Sequence, residues 1–318
     1  MLKLFTKMST HVMKSTIIDL NSNNPYENVA TEYDYYNNIK EDEIIFLLWQ
    51  NESCVVIGRN QNIFRELDLE YITKNKISPV RRFTGGGCVY HDLGNLNFTF
   101  ISSQKNKDLD LWMKILLNAL ELSDIQAKKE GRNDLLCNGK KFSGMAWLED
   151  EEKFMIHGTL MVNLDLSVLG KCLTPDYSKF IGKGIKSVKS RVCNLSDINK
   201  EITVTQLKEN LVKSFRTFYP NTIIEKQKES TNQQKISQAI QKEEWIYGKN
   251  EKAELQKTYF VDNKPINLDI WIENDIINKL EIYSDSLNLR AIDKLKNSLL
   301  HKKYLEVDIN QIIKNIFN

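Results

Sequence analysis

The chain has 318 residues, 41% of them apolar and 27% charged, enough material for a large sheet-based core with a smaller unit beside it. Its 44 basic and 42 acidic side chains nearly cancel, which argues against nucleic acid or an anionic membrane as a partner, and no apolar run approaches the roughly 18 residues of a membrane helix. Five scattered cysteines without a C-x-x-C pair indicate neither a zinc site nor a disulfide framework, so a reducing compartment fits them.

In chain order, Lys3, Lys7, His11 and Lys14 stand among apolar and hydroxyl residues with no acid before Asp19. That composition fits a mitochondrial presequence or a frayed end, so 1–14 is set apart; a cytoplasmic protein is the alternative. Residues 44–49 and 53–58 are short apolar runs around a Gln50-Asn51-Glu52 turn and read as a hairpin. Residues 95–101 alternate Leu96, Phe98 and Phe100 with Asn97 and Thr99, a half-buried strand with one face toward a core and the other toward a site. Leu109, Trp112, Ile115, Leu116, Ala119 and Leu120 recur at helical spacing over 108–122. Strands are expected at 141–148 and 158–164 around the acidic turn 149–152, a solvated hairpin tip.

Farther on, Thr203 and Gln206 form a capping box that starts a helix expected to turn Val204, Leu207, Leu211, Phe215 and Phe218 inward and to end near Pro220. Residues 226–242 read as an exposed helix or linker, and a large domain spanning 15–250 closes at 245–248. Within 251–318, strands at 266–272 and 276–283 and an amphipathic segment at 289–300 form a separate β-β-α unit.

The segment RRFTGGGCVYHDLGNLN at 81–97 carries the strongest chemical signal. Three consecutive glycines leave no side chain between a ligand and the backbone N–H groups, as in anion-binding nests. Ordering them costs more backbone entropy than a plain turn warrants, and Arg81, Arg82 and His91 flank them. In GRNDLLCNGKKFSG at 131–144, Lys141 follows Gly139 and precedes Ser143 and Gly144, where an ammonium could bridge two oxygens; taken alone, a Lys-Lys pair reads as a solvated edge. His157 stands at the entry to an expected strand, where a buried, satisfied imidazole is the plainer reading. KGIKSVKSRVCN at 183–194 crowds Lys183, Lys186, Lys189 and Arg191, to hold a polyphosphate or merely to solvate a loop. Neither a Walker sequence nor G-x-G-x-x-G is present, so any nucleotide is held in another way.

Taken in order, RRFTGGGCVYHDLGNLNFTF, GRNDL, GKKFSG, HGTLMVNLDL, GIKSVKSRVCNL and EEWIYGK resemble the lipoate-protein ligase family of the ATP-using A type, from about Asn28 to the C-terminus. The resemblance implies an α+β fold, the mixed sheet flanked by helices of the biotin and lipoate ligases and class II aminoacyl-tRNA synthetases, followed by a small accessory domain. It further implies activation of lipoate by ATP, with Mg2+, to lipoyl-AMP, then transfer to a lysine of lipoyl domains in 2-oxoacid dehydrogenase complexes or of the glycine-cleavage H protein. By the same resemblance Arg82, Gly85, Gly86, Gly87, Cys88, Val89, Tyr90 and His91 match the nucleotide-side loop, with Asn133 and Asp134 of GRNDL beside it. Lys141 matches the lysine that contacts both phosphate and acyl carbonyl, Trp49 and Gly58 match the acyl pocket, Ser143 lies next to the lysine, and His157 matches a histidine near the dithiolane. Metal ligands are not specified.

Rival activities share the superfamily. An octanoyltransferase carries its acyl chain on a cysteine three residues before the HG histidine, where this chain has Phe154, and a biotin ligase has a GRGRxGR loop in place of RRFTGGGCVYHD. A lipoyltransferase that uses preformed lipoyl-AMP shares nearly all of these residues. The family often has alanine at Cys88 and phenylalanine at Tyr90, small changes where contact is mainly through backbone.

Overall fold

The computed structural model describes residues 13–173, 192–228, 230–248, 253–262 and 264–317. The cationic segment 1–12 and the basic cluster at 183–191 lie outside the described residues. Among those described, no helix is long and apolar enough to cross a membrane.

An eight-stranded mixed sheet forms the body of the protein. In chain order its strands are β1 (Lys14–Asp19) and β2 (Glu43–Trp49), then β6 (Asn95–Ser103), β7 (Lys128–Glu130), β8 (Asp134–Cys137), β9 (Lys140–Glu149), β10 (Lys153–Met161) and β11 (Ile223–Lys226). The strands between them, β3 (Cys54–Ile57), β4 (Ser78–Arg81) and β5 (Val89–His91), form a small second sheet in the order β4-β3-β5. The large sheet runs β11-β1-β2-β6-β10-β9-β8-β7, and only the β1–β2 and β1–β11 pairs are parallel.

Both faces of the central strands are covered, which explains the near-continuous apolar run of β2. One face presents Phe46, Leu48, Phe98, Phe100 and Phe154 to the helices Leu109–Glu121 and Val204–Phe218. Asp108 caps the first of these through the Leu111 amide, and Thr203 with Gln206 forms the expected capping box of the second. Trp112 stacks on Phe100 at 5.1 Å in the middle of this core. The opposite face meets the helix Pro25–Asn38, the helix Thr231–Ile240 and the small sheet, and there the inward side chains include Trp49, Asn97, Thr99 and His157. Polar residues at alternate positions of β6 and β10 thus point to one side of an otherwise apolar sheet.

Several expectations are corrected. β2 and β3 are not a hairpin: β2 pairs with β1 and β6, while β3 pairs with β4 and β5, because the polar 50–53 segment carries the chain from one sheet to the other. β10 begins at Lys153 rather than 158, so His157 lies mid-strand, opposite Thr99 and Ala146. Residues 226–242 contain the packed helix Thr231–Ile240, whose Ile240 is buried in the second core.

The C-terminal unit has its own core, with Leu268, Ile270, Ile277, Leu295 and Leu299 fully buried. It is richer than β-β-α: β12 (Leu255–Val261), β13 (Lys264–Glu273) and β14 (Ile276–Ser284) make a three-stranded antiparallel sheet, covered by the helices Leu289–Leu299 and Ile309–Phe317. β12 escapes a hydrophobic-pattern search because most of its side chains are exposed.

Gly158 marks how tightly the sheet is packed beneath the polar side. A Cβ there would lie 2.5 Å from Phe98 Cζ and 2.8 Å from Met145 Cγ. Gly158→Ala should therefore destabilise the protein by about 1–3 kcal/mol through overpacking, read as a lowered denaturant midpoint.

Candidate active site

A β-bulge places the lysine. In the β8–β9 ladder Leu135 faces Ser143 while Leu136 faces Lys141, so Phe142 is an extra residue. In a regular strand Lys141 and Gly144 would point to opposite faces. The bulge puts Phe142 on the core side beside Ser143, both fully buried, and turns Lys141 across Gly144 with Nζ 3.0 Å from where a Gly144 Cβ would stand. Lys141 Nζ is held by Asp134 Oδ1 at 2.8 Å. Asn133 anchors the same corner, its Nδ2 donating to the Met145 carbonyl and its carbonyl accepting from the Met145 amide.

The glycine loop faces this lysine across a cavity. Arg82 is 5% exposed, and its described partners are all uncharged oxygens: Nε donates to Thr84 Oγ1 at 2.8 Å, Nη1 to the Val56 carbonyl, and Nη2 to the carbonyls of Gly85 and Gly87 at 2.6 and 2.8 Å. Those two bonds fold the loop around the guanidinium. Burial lowers its pKa to about 10, so it stays cationic at neutral pH. Among the described residues no carboxylate bonds it directly, and the nearby charge of Glu32 offsets its field only in part, so a positive potential remains at the loop. Gly86 adopts φ +89°, a conformation that favours glycine.

Arg81, one residue earlier, points elsewhere, donating to carbonyls of Gly58, Arg59, Gln61, Trp245 and Ile246. It ties the glycine-loop scaffold to the end of the catalytic body, and Trp245 returns a bond to the Arg81 carbonyl.

A hydrogen-bonded chain runs along the polar side of the sheet. Trp49 Nε1 donates to Thr99 Oγ1 at 3.0 Å, and Thr99 donates to Glu32 Oε1 at 2.6 Å. His157 Nδ1 lies 2.8 Å from the same oxygen, and its Nε2 is 3.0 Å from Thr84 Oγ1, which also accepts from Arg82. With the imidazole neutral, Nδ1–H donates to Glu32 and Nε2 accepts from Thr84, so each donor meets an acceptor.

Of the residues expected at a site, Trp49, Arg82, Gly86, Gly87, Cys88, Val89, His91, Asn133, Lys141 and His157 border one cavity. Asp134 acts behind Lys141. Gly58 does not border it: a Cβ there would meet the Gly86 carbonyl at 2.0 Å, so Gly58 permits the close approach of β3 to the loop. Gly85 sits under the accessory unit, a Cβ position 2.3 Å from the Ser286 carbonyl. Tyr90 turns away to Ser53, and Ser143, next to the cavity-facing Gly144, is turned to the buried core side by ordinary strand alternation. Sequence reasoning did not single out Glu32 or Thr84, and it set Asn97 on a site-facing strand side and Thr159 beside His157 without giving either a role. The polar alternation of β6 is what set Asn97 on that side; nothing local marks Glu32.

Comparison with known proteins shows the family to which the chain belongs. Residues 24–216 match the model of the lipoyl protein ligase A/B catalytic domain, and 265–318 match that of the bacterial lipoate protein ligase C-terminus. The chain belongs to the lipoate-protein ligase family. It is 35% identical to the lipoate-protein ligase A of Psychrobacter cryohalolentis, over 95% of this chain and 91% of that protein. Identity to the lipoate-protein ligase A of Bdellovibrio bacteriovorus is also 35%, over 88% and 86%. Among solved structures, P. falciparum LipL1 in complex with lipoate superposes with a TM-score of 0.82 at 30% identity, covering 95% of this chain and 99% of that one. The chain is thus an enzyme of the lipoate-protein ligase type, with the large mixed sheet and small C-terminal unit of such enzymes.

His91 supplies a pH test of the site's dryness. Burial, with smaller contributions from Arg82 and His157, pushes its imidazole down to about 3. Between the unfolded value of about 6.5 and that native value the unfolded chain binds a proton that native His91 refuses, so stability falls as pH drops through this window and is retained above it. Compared with His91→Asn, the wild type should lose stability more steeply from about pH 6 to about pH 4, by on the order of 1 kcal/mol per pH unit, in urea titrations.

Proposed function

We propose that this enzyme activates lipoate with ATP to form lipoyl-AMP and then transfers the lipoyl group to a lysine of an acceptor lipoyl domain. The observation that carries the reading is Lys141, turned by the bulge into the cavity that the glycine loop and Arg82 border from the other side. In the first step a carboxylate oxygen attacks the α-phosphorus, the bond to pyrophosphate breaks, and a mixed anhydride forms. Charge gathers on the phosphoryl and acyl oxygens, where the Lys141 ammonium and the loop amides offer donors already in place. In the second step the acceptor's ε-amine nitrogen attacks the acyl carbon, the bond to AMP breaks, and the amine's surplus proton passes to solvent. Lys141 stabilises the departing AMP and does not attack.

Asp134 keeps the ammonium oriented until an anion arrives. Gly86 N–H currently donates to the Ser286 carbonyl at 3.3 Å, so a phosphate seated on that amide displaces the accessory unit's loop. A magnesium ion brought with the nucleotide would be held chiefly by phosphate oxygens and water, with Asp134 as the neighbouring carboxylate. Such an ion would shield the crowded phosphate charge.

The relatives' names and the lipoate in the P. falciparum structure support the substrate. For the acceptor, a bi-partite lipoate protein ligase of Thermoplasma acidophilum, solved in a study of that ligase and its E2 lipoyl domain, aligns at 26% identity with a TM-score of 0.65, over 76% of this chain and all of that one. Lipoyl domains of 2-oxoacid dehydrogenase complexes and the glycine-cleavage H protein are accordingly the acceptors we infer. The acid-free cationic N-terminus supports a mitochondrial setting.

The purified chain should exchange labelled pyrophosphate into ATP when lipoate is added and not without it. Lys141→Ala should lower that exchange by about 10²–10³-fold with the fold intact. Transfer from supplied lipoyl-AMP without any exchange would instead identify a lipoyltransferase.

A further inference from the structure

One cysteine differs from the other four. Cys54, Cys137, Cys172 and Cys193 are buried. Burial pushes the thiols of Cys172 and Cys193 up to about 11 and raises those of Cys54 and Cys137 as well, which keeps all four protonated and inert. Cys88 is half-buried and borders the cavity, between Gly87 of the glycine loop and Val89 of β5. The chemistry above gives its thiol no role.

Its surroundings favour negative charge on sulfur. Arg82 Nη2 donates at 2.8 Å to the carbonyl of Gly87, the residue before it. Arg81 Nη1 donates at 2.7 Å to the carbonyl of Gln61, whose side-chain Oε1 accepts from the Cys88 thiol at 3.1 Å. Both guanidiniums are close enough for their charge to act on Cys88, and among the described residues no carboxylate bonds either of them directly. Reactive thiols occupy such positive, partly open settings.

Gln61 supplies an independent observation. Its Oε1 also accepts from the Gly58 amide at 3.0 Å, which fixes the carboxamide with Nε2 as its donor end. Gln61 is 2% exposed, and Nε2 has no partner among the described residues. An amide donor orphaned at such depth, on the same planar group that the thiol touches, is matched by an acceptor oxygen carried on that sulfur. A thiol has no such oxygen; a sulfenic acid does.

We propose that Cys88 is a peroxide-sensitive modification site, oxidised to a sulfenic acid whose oxygen Gln61 receives, and that this oxidation blocks the nucleotide loop. The regulatory half rests on the ligase reading above. The thiolate sulfur attacks one peroxide oxygen, the O–O bond breaks, and the leaving hydroxide takes a proton to become water; sulfur is oxidised and the peroxide reduced. A small thiol then condenses with the sulfenic acid, releasing water and leaving a mixed disulfide, and a second thiol displaces the first to restore Cys88. Between those steps the added oxygen stands beside the amides that a phosphate would use.

The test treats the full chain with hydrogen peroxide in the presence of dimedone, which traps sulfenic acids, and maps the adduct by peptide mass spectrometry. Cys88 should be labelled at least about tenfold faster than any other cysteine, and Gln61→Leu, which removes the orphaned donor, should slow that labelling. Without dimedone, pyrophosphate exchange should fall by about tenfold and return with dithiothreitol, and whatever exchange Cys88→Ala retains should resist the same treatment. The labelling is read on the wild type and so does not depend on how either variant folds. Selective labelling in a chain that exchanges no pyrophosphate before treatment would uphold the oxidation site and overturn the ligase reading. Labelling led by another cysteine, or a fully oxidised Cys88 with exchange intact, would overturn the proposal.

Discussion

One extra residue in one strand, Phe142, is the constraint from which the active site follows. The side-chain period of a strand is two, so a single inserted residue reverses which neighbours share a face. Without it, Phe142 would project into the cavity and Lys141 into the aromatic core. With it, the phenyl ring is fully buried against the main core, and the ammonium lies over Gly144, where the absence of a Cβ gives it room. The stability of the core and the placement of the reactive cation are thereby the same structural event.

The electrostatics complement that placement. Arg82 and Arg81 are both buried, and both are solvated by backbone carbonyls in place of carboxylates. A carboxylate partner would cancel the field; carbonyl dipoles stabilise the guanidinium while leaving its charge for an incoming anion. The carbonyls that Arg82 recruits belong to Gly85 and Gly87, so the cation also shapes the loop whose amides meet the phosphate. Glu32, the buried carboxylate nearest this wall, is committed to His157 and Thr99.

Much of this was legible in the chain itself. The glycine loop, the GRNDL and GKKFSG segments and the strand of alternating polar and apolar residues at Asn95–Ser103 each carry a local signal, and the family motifs order them. What failed was non-local. The apolar runs that became β2 and β3 look like a hairpin, since nothing in them records that one pairs with β1 and β6 and the other with β4 and β5. Ser143 was read as a site residue for its closeness to Lys141 in the chain; that Lys141 shares a face with Gly144 and not with Ser143 is set by the bulge in the β8–β9 ladder, which no spacing in β9 alone reveals. Gly58 was read as pocket wall, although its role is to let β3 touch the loop. Glu32 sits in an ordinary helical turn, and its meaning appears only where that helix crosses β6 and β10.

The most direct test is a crystal structure of the chain with a non-hydrolysable lipoyl-sulfamoyl adenosine. The account predicts Lys141 Nζ within hydrogen-bond distance of both the acyl carbonyl and a sulfamoyl oxygen, released from Asp134, with amides of the glycine loop on the sulfamoyl group. A conjugate lodged away from the loop, or a Lys141 still paired with Asp134 and touching neither oxygen, would contradict it.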